Sequence, residues 1–190
     1  MANIDLPDEL YNEILRLANL YRREADKCRV GKAYLAGCIM MGAALEAILL
    51  AFANCFPEEA AESVVAPRRK DSSVRPLLDW SFAQLLGVAK DRNWLPSGLS
   101  LDEDWNNASA KVGDYSEVVR QIRNLVHPVR YANDFPRKRI TKRYLESSFE
   151  IVDVATDYLM NKLTASLRAL IEEKERRIAK KASRKKKSYT

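Results

Sequence analysis

Glycine and proline are scarce, 6 and 7 among 190 residues. That scarcity argues against a strand-rich fold, which needs a tight turn every few residues, and favours long helices. There is a single histidine, and the three cysteines, Cys28, Cys38 and Cys55, show no Cys-x-x-Cys spacing. A zinc site of the usual ligand spacing is therefore missing, and so is a glycine-rich loop of the kind that cradles phosphates. An odd number of cysteines without a leader-like start points to reduced thiols in a cytoplasmic protein. The N-terminal stretch is charged and amphipathic, unlike a signal peptide. No nucleophile with a paired base is visible, and nothing in the sequence asks for a metal or a cofactor.

Apolar residues make up 47% and charged residues 31% of the chain, the balance of a globular domain with one core rather than a disordered chain. The net charge of +6 is unevenly placed. Lys174 to Thr190 carries nine Lys or Arg against one Glu, so everything before it is slightly acidic. The chain divides on this ground into a helical domain, residues 1–173, and a basic C-terminal tail, residues 174–190.

Apolar spacing predicts a first helix from Pro7 to Arg29, with Leu10, Ile14, Leu17, Ala18 and Tyr21 on one side. The second stretch, Lys32 to Cys55, is apolar on all sides and long enough for a membrane span. Glu46 inside the run and the many small residues (Ala36, Gly37, Gly42, Ala43, Ala44, Ala47) point instead to a central bundle helix, with no membrane involved. A short helix is expected between Pro57 and Val65. Ser81-Phe82-Ala83-Gln84 reads as a capping box that opens a helix ending near Asn93. Asp114 and Glu117 suggest a further helix start, and Pro128 a stop, with an extended connector from Val129 to Pro136. Thr141 opens the last helix, whose apolar side runs from Tyr144 and Leu145 to Leu170. The fold class predicted is all-α: an antiparallel bundle of about five helices with a long C-terminal helix.

On the short helix before Pro128, Arg120, Arg123, Asn124 and His127 fall at i, i+3, i+4 and i+7 and so share one stripe, while Val118, Val119, Ile122, Leu125 and Val126 gather on the other side and can bury against the bundle. An imidazole can exchange a proton with a hydroxyl, a guanidinium can hold a phosphate through paired N–H donors, and an amide can orient either. The set suits metal-free cleavage of a phosphodiester better than ester or peptide hydrolysis. The same spacing equally describes a solvated helix face.

The segment Val119-Arg120-Gln121-Ile122-Arg123-Asn124-Leu125-Val126-His127-Pro128 resembles the signature helix of the HEPN superfamily (higher eukaryote and prokaryote nucleotide-binding domains). Gly42-Ala43-Ala44-Leu45-Glu46-Ala47-Ile48-Leu49 resembles its apolar second helix. The likeness is nearest to small bacterial HEPN proteins of the DUF4145-like kind. It implies a bundle that forms a homodimer, with two such helices over a shared cleft, and an endoribonuclease that needs no metal. Carried over, His127 is the general acid/base, Arg123 the phosphate stabiliser and Asn124 the polar residue beside it. The resemblance also implies a toxin or defence role, with an antitoxin nucleotidyltransferase as a cognate partner; the alternative within the family is a non-catalytic module that binds RNA, nucleotide or protein. Three residues lie between Arg123 and His127 and six between Arg120 and His127. Active members have roughly four to six, so either Arg120 is the motif arginine or the site is contracted.

Glu46, a carboxylate in an apolar helix, wants a cation, and Arg123 or Arg120 is the candidate. In the tail, Lys180, Lys181, Arg184, Lys185, Lys186 and Lys187 can bind nucleic acid by counterion release or simply solubilise the end. Asp102, Glu103 and Asp104 read as a solvated loop rather than a metal site, and the sequon Asn107-Ala108-Ser109 as chance.

Overall fold

The computed structural model describes residues 4–98, 111–135 and 139–187. Asp102 to Asp104 and the sequon lie outside them. The described residues form seven α-helices and no strand: α1 (Asp8–Val30), α2 (Tyr34–Cys55), α3 (Pro57–Glu62), α4 (Phe82–Asp91), α5 (Val112–Arg123), α6 (Pro128–Asp134) and α7 (Lys142–Lys187). The short helix expected after Pro57 is α3, and the one not expected is α6; both are opened by a proline whose fixed φ and missing N–H suit a first turn.

α2 is the centre. Helices α1, α4, α5 and α7 all pack on it, as a helix apolar around its whole circumference requires. By length and composition it is also the one described helix able to cross a membrane, yet its residues from Gly37 to Phe52 and Ala53 include much of the bundle core. At its end Phe52, Phe56 and Trp94 form an aromatic cluster with ring centroids 4.9–6.2 Å apart.

The bundle is not uniformly antiparallel. Cys28 meets Gly37, and Tyr11 Oη lies 3.4 Å from Cys55 Sγ, so α1 and α2 run in opposite senses. Leu145 packs on Gly37, Ser148 Oγ lies 3.7 Å from Cys38 Sγ, and Lys162 sits over Phe56. α7 therefore runs alongside α2 in the same sense, which the long connection through α3 to α6 permits.

Ser81 caps α4 as predicted: its hydroxyl accepts from Gln84 N–H and Gln84 Oε1 accepts from Ser81 N–H. α5 differs from expectation. It starts at Val112, and Asp114 is its third residue, reaching back to accept from Lys111 N–H at 3.0 Å. The extended connector expected after Pro128 is α6, because the proline that ends one helix starts the next. α7 continues as one helix through the 173/174 boundary to Lys187.

Candidate functional site

The site is built where α5 crosses α2. A Cβ added to Gly42 would stand 2.4 Å from Arg123 Cβ, so the absent side chain is what lets the two helices close. Arg123 then reaches along α2, and its Nη2 donates to Glu46 Oε2 at 2.7 Å. Both side chains are half-buried. Glu46 thus pairs with Arg123 and not with Arg120. Arg123 Nη1 donates to Asn124 Oδ1 at 3.4 Å, which joins the amide to the pair.

Arg120 belongs to a separate pair. Its guanidinium is held by Glu117 on the same helix, with Nε 2.9 Å from both carboxylate oxygens. The Glu117 carboxylate raises the Arg120 pKa above its ordinary value, against the opposing pull of burial. Glu117, read in the sequence as part of a helix start, is in fact this arginine's partner; the i, i+3 spacing was the available signal.

His127 departs most from the sequence reading. α5 ends at Arg123, Asn124–Val126 form a 3₁₀ turn, and His127 is extended with φ −84° and ψ 118°. It is the residue preceding α6, and its carbonyl accepts from Tyr131 N–H at 3.0 Å. The α-helical register that put it on a stripe with Arg120, Arg123 and Asn124 does not extend to it. The cause is Pro128, which drives the preceding residue out of helical backbone and leaves it no place in α5. His127 is exposed, and among the described residues its side chain has no hydrogen-bond or ionic partner. Tyr131, Phe135 and Tyr144 pack edge to face in a row that ties α6 to the start of α7.

Sequence reasoning missed the anchor at the other end of α5. Asp114 is buried, and its carboxylate accepts from Gly98 N–H at 2.7 Å, from the Ser97 hydroxyl and from Lys111 N–H, with Lys90 Nζ 3.4 Å away. Burial pushes this carboxyl up, but the three hydrogen bonds and the ammonium outweigh it and hold it below the ordinary value. A Cβ on Gly113 would stand 2.8 Å from the Pro96 carbonyl oxygen, so the loop fits closely there.

The tail residues Lys180, Lys181, Arg184, Lys185, Lys186 and Lys187 ride on the last turns of α7. At 1.5 Å per residue they begin about 57 Å along that helix from its start. Among the described residues no three His, Cys, Asp or Glu side chains gather as metal ligands do.

Comparison with protein-family models, with curated proteins and with solved structures finds no match to this chain.

Proposed function

We propose that this chain is an HEPN-like, RNA-directed protein that acts as a homodimer and cleaves RNA without metal, in a toxin or defence setting with a nucleotidyltransferase as cognate antitoxin. One observation carries the reading: the only histidine is exposed and, among the described residues, unpaired, three residues beyond Asn124 in an Arg123–Asn124–Glu46 cluster that joins α5 to the central helix. In this mechanism a substrate 2′-hydroxyl attacks the adjacent phosphorus while the bond to the 5′-oxygen breaks, leaving a cyclic phosphate and a free 5′-hydroxyl. A His127 imidazole takes the proton from the 2′-hydroxyl, and an imidazolium returns one to the 5′-oxygen. Arg123 donors not engaged by Glu46 stabilise the phosphorane charge.

A second reading, binding of RNA or nucleotide without cleavage, is favoured by a specific observation. Both guanidinium groups of the signature segment are already neutralised, Arg123 by Glu46 and Arg120 by Glu117. A phosphate would have to share or displace those carboxylates.

The test is incubation of the full chain with structured RNA in EDTA, with products separated by size. Cleavage is expected to persist in EDTA and to fall about 100-fold or more in His127→Ala. Folded wild-type protein that leaves every RNA intact removes the catalytic reading. Binding that is salt-dependent and weakened by Arg123→Ala would then support the second.

A further inference from the structure

Among the described residues the last buried one of α7 is Leu159, with Leu163 still packed against the core. The helix nevertheless continues to Lys187, about 36 Å further. The buried face of α7 does not stop with the bundle: after Leu159 and Leu163 the same three-and-four spacing continues through Leu167 and Leu170, with Ile171 beside it, and then through Lys174 to Ile178. Leu167, Leu170, Ile171 and Ile178 are 51–62% exposed. A projecting helix of this length is marginal alone in water, and here it carries an apolar stripe, interrupted at Lys174, that no other described residue covers.

The charges say what fits. Lys174 to Lys187 is strongly basic, so two such arms lying in parallel would set like charge beside like charge. The end of the bundle from which the arm leaves has the opposite sign. Leu6 N–H donates to Asn54 Oδ1 at 2.6 Å, which fixes the start of α1, with exposed Asp8 and Glu9, at the end of α2. α3 stands there too, its Glu59 3.1 Å from Lys162 Nζ, its Glu62 3.4 Å from Arg92 Nη2 and its Glu58 exposed. No Lys or Arg precedes Arg16 or lies between Lys32 and Arg68. With Asp8, Glu9 and Glu58 carrying no ion pair among the described residues, the arm rises through a collar that is acidic on balance.

We infer that a second copy of this chain covers the stripe, the two arms pairing in opposite directions so that each basic end lies against the other's acidic collar. The register that matches apolar residues sets Leu163 opposite Ile178, Leu170 opposite Ile171, and Leu167 under the aliphatic stem of Lys174, with Arg168 opposite Glu173. The pairing stands apart from the RNA reading. His127 lies between Arg123, beside Gly42, and the aromatic row at the start of α7, which is the opposite end of the bundle. An arm-to-arm dimer keeps the two histidines apart, so a shared cleft at α5 would need a different contact.

Sedimentation equilibrium of the full chain at low salt tests the pairing. A dimer is expected that weakens as salt rises, and Leu167→Glu with Leu170→Glu should abolish it while leaving the thermal melt of the bundle in place. Orientation is read by mixing Leu167→Cys protein with Lys174→Cys protein under mild oxidation: mass spectrometry should find the 167–174 disulfide in the mixture and no arm-to-arm disulfide in either alone. A wild-type monomer at high micromolar concentration, a dimer that survives the double glutamate change, or self-cross-linking of either single variant would overturn the inference. RNA cleavage by a monomer, or a dimer with no action on RNA, would separate its failure from that of the ribonuclease reading.

Discussion

The two ends of α5 are fastened by different physics. At the N-terminal end, Asp114 is enclosed, and its partners come from three places: Lys90 on α4, Ser97 and Gly98 in the segment after it, and Lys111 just before α5. At the C-terminal end, Arg123 crosses to Glu46 on the central helix, across a gap that only Gly42 leaves open, and both charges keep contact with water. A buried carboxylate with its lone pairs satisfied is costly to disturb, because its donors lose their partner in a place water does not reach. A half-exposed pair is cheap to break, because water replaces either partner. The first end therefore sets stability, and the second can move when something else binds there.

The comparison breaks most directly at Asp114. Asp114→Ala should cost about 3 kcal/mol of unfolding free energy in urea titrations, since it strands four donors at once. Gly42→Ala comes next, at about 2 kcal/mol: the new methyl overlaps the Arg123 stem, and the crossing of α5 over α2 must open. Glu46→Gln should cost about 1 kcal/mol or less after allowance for solvent screening, with a larger effect on RNA behaviour than on the melt if Arg123 is released. Arg120→Ala should change stability least, by about 0.5 kcal/mol, because its partner sits on the same helix.

Acid titration sharpens the contrast. Asp114 has its folded-state pKa held below the ordinary value of 3.8, so it binds a proton less readily folded than unfolded. Its contribution is fully present above the ordinary value and is lost as pH falls through the folded one. Stability measured against pH should therefore drop on the acid side, and Asp114→Asn should flatten that limb while lowering the plateau. A variant with an unchanged acid limb would show that Asp114 is not the group responsible.

Much of this could be read from residue order. The apolar run of α2, the Ser81–Gln84 cap and the last helix's stripe each rest on local periodicity, and local periodicity is what a helix expresses directly. Glu46 was recognisable as a carboxylate in need of a cation. What misled was also local. Asp114 and Glu117 have the spacing of a cap, yet Asp114 serves as third residue of the helix and Glu117 serves Arg120, because the loop before α5 supplied Asp114 with better donors. His127 has helical spacing from Arg120, yet Pro128 settles its backbone and ends that register. The proline was visible; its second effect, starting α6, was the part left unread.

By itself, then, the sequence determined the helical class, the central place of α2 and the identity of the polar residues that gather near α5, since each follows from the side chains along one turn or two. The tertiary structure alone decided which arginine Glu46 holds, that α7 runs in the same sense as α2, and that its apolar stripe outlasts the bundle. Those depend on how closely two backbones approach at Gly42 and on where the neighbouring helices end, distances that no periodicity along one helix contains.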